Sequence, residues 1–282
     1  MSLGLTTQSP ATLAEVYALL SEPGRSTMII AGGTDLMVLM NAHMLAAKDF
    51  IDIWRVNELR GIVDEGDALR IGALTTYTEL IRSELIQRYV PSLVDASRTV
   101  GAVQIQNRGT IGGNIVNASP AGDSLPVLAA YDAEVEIGSA RGTRRVFFND
   151  LYTGYRRTVL EADELLLAVR IPGLKPGERD FFWKVGTRRA QAISKTVIAA
   201  KAQINGDRIE AIGIAVGSVA PTVIRAVQTE RLLSGATLTA ALVEEARQTI
   251  AQEISPISDL RSTEHYRRTV TANVLVKFLR QL

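Results

Sequence analysis

Residues 109–127 read Gly-Thr-Ile-Gly-Gly-Asn-Ile-Val-Asn-Ala-Ser-Pro-Ala-Gly-Asp-Ser-Leu-Pro-Val. Gly109, Gly112, Gly113 and Gly122 crowd this stretch, and Pro120 and Pro126 interrupt the rest. Glycine admits positive φ and close backbone approach, while proline removes a donor and fixes φ. The reading here is a shaped loop between regular elements, not an apolar helix. Its side chains are small and carry hydroxyls or amides: Thr110, Asn114, Asn117, Ser119 and Ser124. Such a loop offers bare backbone N–H groups and short donors to an anion, the arrangement called a nest. A diphosphate is the guest that suits it.

A second stretch matches the first. Residues 28–36 read Met-Ile-Ile-Ala-Gly-Gly-Thr-Asp-Leu. The apolar run Met28–Ala31 predicts a buried strand, Gly32-Gly33 a turn, and Thr34 or Asp35 the cap of a following helix. Strand, glycine turn and helix start again make an anion site. Neither loop carries the G-x-G-x-x-G or G-x-x-x-x-G-K-[ST] pattern. Alone, each Gly-Gly pair reads equally well as a plain turn; the two together, with Asp123 following, favour the site.

Ala31-Gly32-Gly33-Thr34-Asp35-Leu36 and Thr110-Ile111-Gly112-Gly113-Asn114 resemble the FAD-binding (medium) subunit of the molybdenum hydroxylases. This is the xanthine dehydrogenase family, which includes the medium subunit of carbon monoxide dehydrogenase. The resemblance continues through Asn117-Ala118-Ser119-Pro120-Ala121-Gly122-Asp123, Gly154-Tyr155-Arg156-Arg157-Thr158, Asp163-Glu164-Leu165-Leu166-Leu167 and Ile171-Pro172, in family order.

Bulk properties agree with a large globular chain. Its 282 residues are 46% hydrophobic and 22% charged, enough for two domains. With 31 basic and 30 acidic residues the net charge is +1, which removes the electrostatic case for nucleic-acid binding. There is no cysteine, so disulfides, thiolate metal sites, cysteine nucleophiles and protein-held iron–sulfur clusters are excluded within the chain. No signal-peptide pattern and no apolar run of membrane-spanning length is seen, and the expected location is cytoplasmic, off the membrane.

In chain order, Ser9-Pro10 reads as a helix start, with Leu13, Val16, Tyr17, Leu19 and Leu20 on its apolar face and Pro23-Gly24 as its end. Leu36, Leu39, Met40 and His43 share a face of the next helix, and Phe50–Ile53 predicts a strand. Ile62-Val63 and Ala68–Ile71 flank a polar turn. Thr76–Arg98 reads as helical with one interruption, at Pro91. Leu125–Tyr131 reads as helix, and Ala133–Ile137, Thr143–Phe147 and Asp163–Val169 as strands. Gly173–Glu178 predicts a linker. Phe181–Val185, Thr196–Ile204 and Ile209–Gly217 predict three antiparallel strands, the last two joined by Asn205-Gly206-Asp207. Helices near 225–234, 239–253 and 262–281 complete the chain.

His43 and His265 are isolated and no Ser–His–acid set can be placed. Arg156-Arg157 and Arg188-Arg189 read equally as surface charge or as ligands. The chemistry then belongs to a bound cofactor, which the protein orients. The resemblance makes it FAD, held non-covalently, with [2Fe-2S] clusters and molybdopterin only in partner subunits. Those partners are a small iron–sulfur subunit and a large molybdopterin subunit, in a dimer of heterotrimers. Electrons pass from the clusters to the flavin and on to NAD, oxygen or a quinone; Ala190-Gln191-Ala192, where relatives carry acids, leaves that acceptor open. The implied fold is α+β: a vanillyl-alcohol-oxidase (PCMH)-type FAD-binding domain over 1–174, with subdomains about 1–55 and 56–174. A C-terminal flavoprotein domain over 175–282 has a three-stranded antiparallel sheet with helices.

The resemblance also assigns roles. Ile29, Ile30, Ala31, Gly32, Gly33, Thr34, Asp35 and Leu36 wrap the diphosphate. In the second loop, whose cofactor-binding candidates also include Thr110, Ile111 and Asn117, the residues Gly112, Gly113, Asn114 and Ser119 approach the diphosphate and ribityl chain. Asp123 accepts from a ribityl or ring group, Val100 and Gly101 approach the adenine or ring region, and Lys184 stands near the flavin. Leu166 and Leu167 pack on a ring system, though core packing explains them as well. Rival readings are a stand-alone flavin oxidase or dehydrogenase of the same fold, and a member that has lost FAD.

Overall fold

The computed structural model describes residues 5–22, 27–45, 49–188 and 190–282. Pro23-Gly24 and Arg189 lie outside them. Strand β1 (Thr6–Gln8), helix α1 (Leu13–Leu20), strand β2 (Thr27–Ile30), helix α2 (Leu36–Asn41) and strand β3 (Asp49–Asp52) form the first unit, with β3 between β1 and β2 and parallel to both. Thr12, not Ser9, caps α1. Its hydroxyl accepts from the Glu15 amide, while the Glu15 carboxylate accepts from the Ala11 and Thr12 amides. That reciprocal box satisfies amides which a proline start leaves open. His43 is not helical: α2 has ended, and His43 has φ +55°.

The second unit begins with β4 (Ile62–Asp64) and β5 (Leu69–Gly72). Six helices follow: α3 (Tyr77–Arg82), α4 (Glu84–Tyr89), α5 (Pro91–Thr99), α6 (Val103–Gln106), α7 (Ile111–Asn117) and α8 (Leu125–Ala130). Then come β6 (Glu134–Ser139), β7 (Gly142–Phe147), the small ribbon β8 (Tyr152–Gly154) and β9 (Arg157–Thr158), and β10 (Leu165–Ile171). The main sheet is antiparallel in the order β4-β5-β10-β6-β7. One side packs on the helices through a core that includes Tyr77, Leu93, Ile111, Ile115, Leu128 and Val169. The Arg170–Glu134 ion pair joins neighbouring strands, and Arg70–Glu136 reaches from β5 across β10 to β6.

Two expectations are corrected here. The helical stretch 76–98 breaks twice, because Thr76 and Ser83 each cap a helix start and Pro91 opens a third. The glycine stretch is also more regular than its composition suggests: residues 111–117 are a helix, capped by the Thr110 hydroxyl on the Gly113 amide at 3.1 Å. It ends where Ala118 turns left-handed at φ +50°.

The third unit is β11 (Glu178–Val185), β12 (Thr196–Asn205), β13 (Arg208–Gly217), β14 (Ile224–Arg225), α9 (Val227–Leu233), α10 (Ala240–Glu253) and α11 (Glu264–Leu279). The sheet has four strands in that order, not three, because the two-residue β14 pairs with Ala215 and Val216. Gly206-Asp207 makes the tight turn, with Gly206 at φ +59°. Ile198, Ala200 and Ala202 pack towards Ala246, Ile250, Leu275 and Phe278, while Ala199 and Ala215 join the core of the second unit. Helix α8, buried at every residue, packs against β12 and β13 and fastens the two units. Asp180 adds a polar pin, accepting from the Ser92 amide at 2.7 Å and the Tyr131 hydroxyl at 2.8 Å. Among the described residues no helix is long and apolar enough to cross a membrane.

Candidate functional site

A cleft of about 610 Å³ opens between the first parallel sheet and the helices of the second unit, within the size range of cofactor sites. Its walls are the run 27–36, Ala73, Leu74, Tyr77 and Val100, the segment from Gly109 to Asn117, and the turn from Leu160 to Leu166. Both glycine pairs therefore face one space.

The first pair offers its backbone. After β2 the chain turns at Gly33, φ +74°, and the amides of Gly32, Gly33, Thr34 and Asp35 have no hydrogen-bond partner among the described residues. Asp35 precedes α2 without a side-chain cap bond. Successive free amides of this kind form a concave anion site.

The second pair has spent its backbone, contrary to the expectation of a nest there. The Gly109 amide goes to the Ile105 carbonyl, Ile111 to Thr75, Gly112 to Ala73, and Asn114 to Thr110, while Gly113 goes to the Thr110 hydroxyl. Only the Thr110 amide in this segment lacks a partner among the described residues. What remains for a guest is the open surface of Gly113 and the Asn114 side chain, whose Oδ1 is buried without a partner. An orphaned buried acceptor is costly unless something donates to it.

Of the residues predicted from sequence, Ile29 to Leu36, Val100, Thr110, Gly112, Gly113, Asn114, Asn117 and Leu166 line the cleft. Gly101, Ile111, Ser119, Asp123, Leu167 and Lys184 are not brought to its wall. Ile111 is fully buried in the core. Ser119 turns its hydroxyl onto the Ala121 amide. The Gly101 carbonyl takes the Gln191 amide. Leu167, next to Leu166 on an alternating strand, packs with Val16, Ile51 and Leu59.

Asp123 and Lys184 meet each other in the interior: Lys184 Nζ donates to Asp123 Oδ2 at 2.6 Å and to the Thr99 carbonyl at 3.1 Å. Asp123 Oδ1 is buried without a partner. Burial pushes the Asp123 carboxyl up to about 6, against the opposing pull of Lys184. Burial likewise raises the Tyr77 phenol, which shares a hydrogen bond with Ser124 at 3.0 Å.

Tyr77, Ile105, Val116, Leu160 and Glu161 line the cleft without having been singled out in the sequence. The turn at 160–164 had no local signal. It is held by Arg144, which grips Glu164 through two bonds of 2.7 Å and keeps its carboxyl down to about 2. Of the basic clusters, Arg156 donates to Asn117 at 2.7 Å, and Arg188 to the Ala190 and Gln191 carbonyls. Among the described residues no group of His, Asp and Glu is arranged to hold a metal ion.

A strand–glycine turn with free amides, above a cleft closed by an antiparallel sheet and followed by a separate α+β unit, is the frame of a flavoprotein subunit. Residues 3–174 match the FAD binding domain in molybdopterin dehydrogenase, and residues 181–282 match the CO dehydrogenase flavoprotein C-terminal domain. The chain belongs to this family of FAD-binding medium subunits of molybdenum hydroxylase-type dehydrogenases. It is 34% identical over 272 residues to a xanthine dehydrogenase FAD-binding subunit of Escherichia coli O157:H7, covering 94% of this chain and 92% of the relative. It is 33% identical to a glyceraldehyde dehydrogenase medium chain of Sulfolobus acidocaldarius, covering 93% and 92%. Among solved structures it resembles carbon monoxide dehydrogenase from Hydrogenophaga pseudoflava, with a TM-score of 0.93 and 29% identity over 97% of this chain and 95% of the other. Quinoline 2-oxidoreductase from Pseudomonas putida 86 gives 0.91 and 26%, covering 98% and 96%.

Proposed function

We propose that the cleft holds FAD non-covalently, its diphosphate against the free amides of Gly32, Gly33, Thr34 and Asp35. Those unspent donors, on a glycine turn facing a cofactor-sized cleft, carry the reading. Thr110, Gly112, Gly113 and Asn117 form the facing wall, and Asn114 Oδ1 accepts a donor from the cofactor. Val100 and Leu166 pack on its apolar parts, while Asp123 and Lys184 act from behind the wall rather than in contact. Neither histidine lines the cleft and the chain has no cysteine, which favours the non-covalent link.

When bound, FAD supplies the redox chemistry: electrons arrive from [2Fe-2S] clusters of a small partner subunit and leave to NAD, oxygen or a quinone. Substrate is oxidised elsewhere, in a large molybdopterin subunit, and the assembly is a dimer of heterotrimers in the cytoplasm. The likeness to chains named medium subunits over nearly their whole length supports this division of labour.

The test is the absorption spectrum of the purified full chain, with mass identification of what acid releases. FAD is the expected product, in wild type and not in Gly113→Val. That variant places a branched side chain on the open surface of Gly113, against Thr110, and leaves the C-terminal domain folded. A colourless wild type that adding FAD cannot reconstitute would overturn the reading, and a Gly113→Val protein with stoichiometric FAD would remove the second wall from the site.

A further inference from the structure

The cleft assigned to FAD is short of positive charge. Among the described residues no lysine or arginine lines it, while Asp35, Glu161 and Glu164 do. Arg141 and Arg144 neutralise the two glutamates. The Asp35 carboxylate has no partner among the described residues. A diphosphate diester is a dianion, and free amides offer it only partial charges.

The residue whose backbone packs against that turn carries a whole charge. Arg108 immediately precedes Gly109, and its carbonyl oxygen lies so close to Gly32 that a Cβ there would overlap it. The backbone of Arg108 therefore touches the anion turn. Its guanidinium sits over the Trp54 ring, 3.7 Å from the centroid, is exposed, and makes no hydrogen bond or ion pair with a described residue. Arg60 stacks on the same ring at 4.6 Å and donates to the Trp54 carbonyl at 2.7 Å. Trp54 follows Ile53, a cleft residue whose amide donates to the Ile30 carbonyl at the end of β2. The turn is thus joined to this stack from both sides.

As a mere clamp, the stack needs only Arg60, which already holds Trp54 by ring and carbonyl. Adding a second guanidinium brings like charge together, and among the described residues Arg108 keeps its whole fork of donors unspent. We propose that Arg108, racked on Trp54 beside the Gly32 turn, supplies the counter-charge of the cofactor diphosphate. The inference rests on the FAD reading above and adds a binding residue to it.

The experiment uses the full-length chain freed of flavin. FAD affinity is read from flavin fluorescence quenching, and ADP and adenosine are tested as competitors at low and high salt. Arg108→Gln, Arg108→Lys and, as a control cation on a remote ring, Arg88→Gln are compared, with the Tm of each.

Arg108→Gln should weaken FAD and ADP about tenfold at low salt, with the gap to wild type closing as salt screens the charge. Adenosine, which lacks phosphate, should compete equally well against both. Arg108→Lys should lose about threefold or less, and Arg88→Gln nothing. Unchanged FAD affinity and salt dependence in Arg108→Gln would overturn the proposal, as would equal loss of ADP and adenosine, which marks a structural role. Should Arg108→Gln fail to fold, Arg108→Lys and the ADP-to-adenosine ratio of the wild type carry the decision: a ratio insensitive to salt overturns it. A wild type that binds no FAD but still prefers ADP would break the FAD reading alone.

Discussion

At Gly32-Gly33 the chain leaves a strand, turns through φ +74°, and leaves four successive amides without a protein partner among the described residues. At Gly112-Gly113 it enters a helix whose cap and neighbours consume nearly every amide. Both pairs face one cleft. Their difference shows that a Gly-Gly pair does two jobs at once. In each pair the first glycine lets backbones touch: Gly32 against the Arg108 carbonyl, Gly112 against Ala73, where a Cβ would come within 2.6 Å of the Ala73 Cβ. The second glycine is open, with nothing near Gly33 closer than 3.8 Å and only the Thr110 hydroxyl crowding Gly113. Packing demands the first, and the second is left open on the cleft proposed for the cofactor.

The largest effect should come from the packing glycines. In Gly32→Ala the new methyl collides with a carbonyl, not with a flexible side chain that could move aside. The two loops must part, at a cost of about 3 kcal/mol, and FAD is lost with them. Thermal unfolding of the flavin-free chain checks this. A Gly32→Ala protein with wild-type Tm would break the comparison at its root, because the loops would then not need to touch.

A matched pair of variants sharpens it further. Gly33→Ala forces a side chain into left-handed backbone at about 1–2 kcal/mol and re-aims the free amides, so FAD affinity should fall about tenfold or more. Thr110→Val removes the cap acceptor of Gly113, costing about 1 kcal/mol of stability, yet FAD affinity should fall less than about threefold. Titration with FAD at one temperature orders the two. If Thr110→Val loses more affinity than Gly33→Ala, the helical turn is the anion site and the strand turn is scaffolding.

The sequence showed where these turns lie more readily than what they do. Met28–Ala31 followed by Gly-Gly is a local signal: the strand lies within a residue of it, at Thr27–Ile30, half-buried rather than buried, and the turn follows at Gly33. The hairpin at Gly206 is equally local. The fate of the amides at 111–114 is not local. Two of them, Ile111 and Gly112, go to carbonyls of Thr75 and Ala73, delivered by a strand end nearly forty residues earlier. Thr110 was legible as a small polar residue, but its use as a cap rather than a ligand depends on that same docking. The wall at 160–164 follows from β10 inserting between β5 and β6, which no spacing in the sequence announces. The short β14 is likewise a product of the finished sheet edge.

Asp123 tests how far the second loop's influence runs, because the chain beyond that loop leads away from the cleft wall. Lys184, sixty-one positions later on β11, reaches it across the contact between the second and third units. Burial raises the folded carboxyl to about 6, above its ordinary value near about 4. The native state then holds the proton more tightly than the unfolded chain. This contribution is fully present below about pH 4 and is lost as pH rises through about 6. Asp123→Asn, which cannot ionise, should therefore gain on wild type across that window, by up to about 3 kcal/mol between pH 4 and 7. Chemical denaturation at each pH measures the difference. Parallel profiles would mean that Lys184 offsets the burial of the carboxylate in full. Asp123 would then stand ionised at every working pH, its unpartnered Oδ1 a charged acceptor behind the wall that Asn114 and Tyr77 present to the cofactor.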